Sequence, residues 1–473
     1  MADKVVTRFA PSPTGFMHVG GVRTALYAWL FARKHNGTFI LRIEDTDKER
    51  EVEGSVKHIM ESLMWLGITW DEGPEKGGPH APYIQSQRLD LYKTYVQTLI
   101  DKGLAYADPY TEEEVEVLRK KATDEKRPFL YREHRPDVTQ PWDGTKPLRF
   151  KVPEIKRYSW DDIVRGKLSA GEEALDDFIL IKSDGYPTYN FSHIVDDIEM
   201  GITHVVRGEE FVSSTPKFLS LYEALGKLPP QFATMPPILG EGGTKKMSKR
   251  DGAKDILDYR AEGYLPEALV NFLALLGWHP EGEEEVMSVE QLIEKFDLSR
   301  VQKGGAMFDE VKLAWFNREH IKRLSDGDLL MHIKGLMGVV PPYASAVIGI
   351  VRERASTLRE ASDMLTNDFG FLEDISYGRE LLLQDGKIDA EVASNHLKAL
   401  AELLHPIPDE GFTAAQLKDI IWPYATSQGR GAVLWPLRVA LSGKDKSPDP
   451  FTIMGLVGKE RALARIASAL EKL

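Results

Sequence analysis

Cysteine is absent from the 473 residues, which excludes disulfides, thiolate zinc sites and cysteine nucleophiles. Long apolar runs are missing too: none approaches the roughly 20 residues that a membrane span needs. The opening Met1-Ala2-Asp3-Lys4-Val5-Val6-Thr7-Arg8 lacks the apolar core of a signal peptide and reads as a strand, so a cytoplasmic protein is expected. Neither a repeat of solenoid period nor a low-complexity segment occurs. Positive charge is in deficit, with 60 Lys+Arg against 73 Asp+Glu and a net charge of −13. That balance disfavours an unspecific nucleic-acid binder, whose affinity rests on neutralising phosphates. It leaves room for a specific one with a local basic face. What is present, 42% hydrophobic and 28% charged residues, is ordinary for a globular protein, and the length predicts about three domains.

Through residues 1–105 strand and helix patterns alternate. A strand closes at Thr7–Ala10, and a helix-period run through Leu26, Trp29 and Leu30 stops at Asn36-Gly37. Phe39–Leu41 is a second strand, and Val56, Ile59, Met60 and Leu63 mark a helix that stops at Gly67. A further helix carries Tyr92, Tyr95, Val96 and Leu99. This rhythm predicts an α/β fold with a Rossmann-type doubly wound parallel sheet. It breaks over 106–190, which reads as an α+β insertion with a capping box at Thr111–Glu114. It resumes over 191–254 with a strand at Thr203–Arg207 and a helix from Thr215 (cap) and Pro216 (first position) to Gly226. Residues 255–325 and 326–473 read as an all-helical C-terminal half, with another capping box at Ser288–Gln291.

Two segments carry chemistry. Arg8-Phe9-Ala10-Pro11-Ser12-Pro13-Thr14-Gly15, followed by His18-Val19-Gly20-Gly21, sits between the first strand and the first helix. Ligands of doubly wound sheets bind there, outside the carboxyl ends of the strands. Gly20 and Gly21 admit a ligand to a helix N-terminus that favours phosphate, and His18 can donate to it. Far downstream, Lys245-Lys246-Met247-Ser248-Lys249-Arg250-Asp251-Gly252 packs four cations into six residues. A lone His-x-Gly-Gly reads as a strand–helix turn with a surface histidine, and a lone basic loop as solvated; PSPTG at this spacing, and the pairing of the two segments, disfavour both. Together they describe an electrostatic clamp on a reacting polyphosphate.

PSPTG…HVGG with KMSKR resembles the two signatures of class I aminoacyl-tRNA synthetases, in the form found in glutamyl-tRNA synthetases. Ile43–Asp47, Asp184–Asn190 with Val195–Asp197, Val206–Glu210 and Lys312–Asn317 extend the resemblance along nearly the whole chain. It implies a glutamate–tRNA ligase that makes glutamyl-adenylate from L-glutamate and ATP, then transfers glutamate to the terminal adenosine of tRNA-Glu. By resemblance, Arg8, Ser12, Glu44, Tyr189, Asn190 and Arg207 hold glutamate. The carry-over for ATP is His18, Gly20, Gly21, Glu210, Lys246, Ser248, Lys249 and Arg250, with His18, Lys246 and Lys249 catalytic. Two arginines suit two carboxylates, and a glutamate suits an ammonium.

The same resemblance implies Mg²⁺ with ATP, no zinc, no membrane partner and a monomer. It makes 106–190 an acceptor-stem-binding insert, 255–325 a stem-contact domain and 326–473 an anticodon-binding domain. In the insert, Arg119, Lys120, Lys121, Lys126, Arg127, Arg132 and Arg135 are expected to form an RNA face, with His134 at the surface or facing RNA. Arg352, Arg354 and Arg359 are expected on one helix toward the anticodon arm. Some relatives carry a Cys/His zinc knuckle where this chain has Ala107–Tyr110 and Tyr131–Arg135. The competing readings are a glutaminyl-tRNA synthetase, which disagrees with PSPTG and the helical C-terminus, and a non-catalytic tRNA-binding paralogue, which disagrees with the intact signatures. Whether tRNA-Gln is also charged stays open.

Overall fold

The computed structural model describes residues 4–240, 242–243, 245–247 and 254–473, in two compact units, 1–316 and 317–473. In the first unit, β1 (Val6–Phe9), α1 (Val19–Lys34), β2 (Thr38–Leu41), α2 (Ser55–Trp65) and α3 (Leu89–Asp101) follow the expected alternation. Then come β3 (Ala105–Ala107), α4 (Glu112–Asp124), β4 (Leu148–Phe150), β5 (Tyr158–Asp162), β6 (Gly166–Ala170) and β7 (Ile179–Ile181). After α5 (Tyr189–Glu199), β8 (His204–Gly208), α6 (Thr215–Leu225), β9 (Gln231–Met235) and β10 (Ile238–Leu239), the unit turns mainly helical with α7 (Ile256–Ala261), α8 (Pro266–Leu275) and α9 (Val289–Lys295). A short strand, β11 (Ala306–Met307), pairs in parallel with β10.

The main sheet has the order β2-β1-β8-β9-β5-β6, parallel except for the β5–β6 pair. Its strands are apolar on both faces because both are covered. Phe39, Leu41, Val206 and Ala233 point into a core with α1, α2 and α8, while their neighbours Ile40, Val205 and Phe232 point into a second core with Trp160, Ile202 and Leu219. Buried α1 is tied to the end of α8: the Tyr27 hydroxyl donates to the Ala274 and Leu276 carbonyls, and Arg23 Nη1 donates to Leu276 O at 3.0 Å. These bonds satisfy carbonyls that a helix end leaves open.

The stretch 106–190 divides between two sheets. β3-β4-β7 form a separate antiparallel sheet, but the β5–β6 hairpin extends the main sheet beyond β9. Asp162 stitches it there, accepting from the Thr234 backbone N–H and hydroxyl. Such a pairing over seventy residues leaves no local trace. In α6, Ser214 rather than Thr215 is the cap residue; the Thr215 hydroxyl accepts from Arg207 and donates to Phe211 O.

Within 106–190, charged and aromatic groups gather around Asp108 and Asp177. Asp108 accepts from Arg149 Nε at 2.6 Å and from the Tyr131 hydroxyl, and the Arg149 guanidinium lies 3.4 Å above the Tyr131 ring. Asp177 accepts from Tyr106, Arg135 and the Val152 N–H. Arg149→Ala strands a buried carboxylate and is expected to cost about 3–5 kcal/mol. Urea unfolding checks this, and a stability that a chelator lowers in the parent chain would reject a metal-free insert.

The second unit is helical, from α11 (Asp326–Met337, after α10, Glu310–Arg323) through α12 (Ala344–Arg354), α13 (Leu358–Asp363) and further helices ending at Lys459–Lys472. It begins at 317 rather than the expected 326. Among the described residues no helix is long and apolar enough to cross a membrane.

Candidate active site

From β1 the chain moves outward to β2, and from β8 it moves the other way to β9. The crevice between β1 and β8 is therefore the switch point at which doubly wound sheets bind ligands. A cavity of about 1040 Å³ opens there, lined among others by Arg8, Ser12, Glu44, Tyr189, Arg207 and Glu210. Arg8 comes from β1 and Arg207 from the adjacent β8.

Beneath this cavity lies a buried charge network. Asp197 receives Arg8 Nε at 3.1 Å and Arg42 Nη1 at 2.9 Å. Asp196 receives Arg88 Nε at 2.7 Å, Gln85 and the Tyr92 hydroxyl. Both N–H bonds from Arg42 to Glu44 fall on Oε1, at 3.3 and 3.0 Å; no hydrogen bond to Oε2 occurs among the described residues. Burial pushes the Glu44 carboxyl up to about 7 against the pull of Arg42 and Arg8. For Asp197 burial acts in the same sense, but Arg8, Arg42 and His193 outweigh it and hold the carboxyl below its ordinary value. Tyr189 stacks on His193, with centroids 4.4 Å apart. Burial lowers His193 to about 3, so it is a neutral ring that donates to the Tyr189 carbonyl.

Arg207 differs from the other buried arginines of the site. It has no carboxylate partner among the described residues; its Nη2 donates to Thr215 Oγ1 at 2.6 Å, and its buried Nε has no hydrogen-bond partner. Its guanidinium sits 4.1 Å over the Phe232 ring, 6% exposed. Burial pulls it down to about 10, so it stays cationic near neutrality. A buried cation with donors left over, facing a cavity, is suited to an anion.

At the first signature, His18 is the cap of α1, and its Nδ1 accepts from Gly20 N at 3.1 Å. The neutral ring therefore carries its proton on Nε2. A Cβ on Gly20 would lie 3.0 Å from His18 Cε1, so glycine lets the imidazole fold over the helix start. At the second signature, Lys245–Met247 pairs back on Ile238–Gly240. Lys246 Nζ lies 3.4 Å from Glu210 Oε2. Ser248, Lys249 and Arg250 lie outside the described residues.

Residues 4–315 match the family of class I tRNA synthetases (E and Q), catalytic domain, and residues 316–470 match an anticodon binding domain. The chain is 44% identical to a glutamate–tRNA ligase of Carboxydothermus hydrogenoformans, over 98% of this chain and 99% of that one. It is 42% identical to the same ligase of Moorella thermoacetica, over 99% and 98%. The chain belongs to the glutamate–tRNA ligase family of class I tRNA synthetases. A crystal structure of a glutamate tRNA ligase from Elizabethkingia meningosepticum, in complex with its amino acid, superposes with a TM-score of 0.86 at 38% identity, covering both chains fully.

Of the family residues expected from the motifs, Arg8, Ser12, Gly21, Glu44, Tyr189, Arg207 and Glu210 line one cavity. His18, Gly20, Asn190 and Lys246 do not line it, although Lys246 reaches it through Glu210. Of the residues that hold the pocket's charges in place, Asp196 and Asp197 were named only as part of a motif, without a role, and Arg42 and Arg88 were not singled out. The available signal was Arg42-Ile43-Glu44, two like-facing charges on a strand continuation, and an Asp-Asp pair on the apolar run of α5.

The RNA-facing expectations need correction. Arg127, Arg132 and Arg135 bond internally, to Glu125 and Glu133, to Leu175 O and to Asp177, leaving Arg119, Lys120, Lys121 and Lys126 exposed on or just after α4. His134 stacks on Phe129 and buries its Nε2 rather than facing outward. Arg352 and Arg354 share α12, but Arg359 belongs to α13, because the chain turns extended at Ala355.

Proposed function

We propose that the chain activates L-glutamate with ATP and esterifies it to the terminal adenosine of tRNA-Glu, as a cytoplasmic translation enzyme. The observation that carries this is Arg207, a buried guanidinium with no carboxylate partner among the described residues, lining one cavity with Glu44, whose Oε2 takes no hydrogen bond from them. A substrate with two carboxylates and one ammonium satisfies both. Arg207 would take one carboxylate; Arg8, its Nε–Nη2 edge held by Asp197, would offer Nη1 to the other. Glu44 would take the ammonium.

The glutamate carboxylate oxygen attacks the α-phosphorus of ATP, the α–β bridging bond breaks, and pyrophosphate leaves. A ribose hydroxyl of tRNA then attacks the acyl carbon and AMP leaves. Neither step needs a protein nucleophile, since alignment and charge stabilisation suffice. His18 Nε2–H, the α1 N-terminus and the lysines of the second signature would receive the phosphates. Magnesium would accompany ATP and offset charge on its phosphates.

Charging of purified tRNA-Glu and tRNA-Gln, separately, with labelled glutamate tests the reading. Ester on neither overturns it; ester on both adds tRNA-Gln as a second substrate. A pH prediction follows from Glu44. The ammonium needs the ionised carboxylate, which prevails above about 7. The KM for glutamate is therefore expected to rise as pH falls below that value, approaching roughly tenfold per unit. A flat KM profile would reject Glu44 as the ammonium's partner.

A further inference from the structure

Outside the cavity, one side chain on α2 joins the two signature segments. His58 Nδ1 accepts from the Met17 N–H at 3.3 Å, and its Nε2 lies 2.7 Å from Asp255 Oδ1. The Met17 N–H can only donate, so Nδ1 is bare and Nε2 carries the proton given to Asp255. The same Oδ1 accepts from Leu257 N and caps α7. Ile256 N donates to Met17 O at 3.1 Å, His18 and Asp255 form an antiparallel bridge, and Phe16 stacks on the imidazole at 4.6 Å. Met17 directly precedes the cap of α1, and Asp255 stands just beyond the second signature. On that signature's other flank, Lys245–Met247 is pinned to β10 and Gly240. The described residues on the two flanks are thus held, Lys245–Met247 by β10 and Gly240 and Asp255, through His58, by the turn before α1.

We infer that His58 is a positioning residue for glutamate activation: by hydrogen-bonding Met17 and Asp255 together, it fixes Asp255, on the far flank of the second signature, against the turn that leads into α1. The inference rests on the glutamate–ATP reading above. Its effect falls on the transition state, where charge builds on the phosphates, and not on glutamate affinity. Among the described residues, Arg8, Glu44 and Arg207 make no hydrogen bond to Met17, His58 or Asp255.

The test uses adenylate formation and charging in the full chain with tRNA present. Asp255→Ser is the clean variant, because serine still caps α7 but is too short to reach His58. Asp255→Ser and His58→Leu are each expected to lower kcat roughly tenfold while the KM for glutamate stays within about twofold. His58→Gln, whose amide N–H still reaches Asp255, recovers most of the rate. The double variant His58→Leu/Asp255→Ser is no slower than the slower single, since both remove one link. Unchanged rates in Asp255→Ser, additive losses in the double variant, or a glutamate KM that rises as far as kcat falls would overturn the inference. The parent chain is the control: no charging there sinks the glutamate–ATP reading, whereas normal charging with indifferent variants sinks the role of His58.

Discussion

Arg207→Ala is expected to raise the KM for glutamate roughly 30-fold or more, the equivalent of about 2–5 kcal/mol for one partner of a buried, hydrogen-bonded charge pair. The fold should hardly notice. Among the described residues this buried guanidinium has no carboxylate partner and its Nε is unbonded; the Thr215 hydroxyl and the Phe232 and Phe218 rings receive it. Removing a desolvated, uncompensated charge offsets the packing lost with its stem. Stability of the variant is expected within about 1 kcal/mol of the parent. Steady-state charging kinetics and urea unfolding decide together. A large stability loss with an unchanged KM would make Arg207 a structural residue. Arg207→Lys keeps the charge but loses the planar fork that fits a carboxylate, so its KM should fall between those of the parent and the alanine variant.

Asp197→Ala is expected to do the opposite on stability. Asp197 is the shared acceptor of Arg8 and Arg42, and all three side chains are nearly inaccessible to water. Deleting it leaves two guanidinia side by side, at a cost of about 3–5 kcal/mol, and the glutamate KM should rise as well because Arg8 loses its anchor. The sign of the pH dependence follows from the lowered Asp197 carboxyl. A group whose folded value is depressed stabilises above its unfolded value, near 3.8, and loses that contribution as the pH falls through the folded one. The stability gap between parent and variant is therefore full near neutrality and narrows in acid. A gap that persists unchanged in acid would assign the loss to packing rather than to charge.

These two aspartate and arginine positions also mark how far the amino-acid order could be read. The two signatures are local: a turn rich in proline and glycine with a histidine cap, and a run of lysines, are both visible within a dozen residues. The same is true of the α1 stop at Asn36-Gly37, where Asn36 and its neighbour end the helix, and of the capping boxes at Thr111 and Ser288. Type and motif made Arg8 and Arg207 candidate carboxylate ligands. That Asp197 holds the first, while no carboxylate among the described residues bonds to the second, was not recognisable, since Arg8 and Asp197 lie 189 residues apart.

Chemistry carried by neighbours in the chain was thus open to inspection in the residue order alone: the α/β alternation, the helix ends, the glycines at a phosphate turn and the absence of thiolate zinc ligands. Folding in three dimensions decided everything that depends on distant pairs. It attached the β5–β6 hairpin to the main sheet through Asp162 and Thr234, engaged Arg127, Arg132 and Arg135 in internal bonds, and brought His58 against Asp255. The physical reason is the same in each case. Periodicity and capping act over one or two helical turns. By contrast, burial sets the strength of a charge pair and the ionisation of Glu44, and burial exists only once the strands carrying these groups lie side by side.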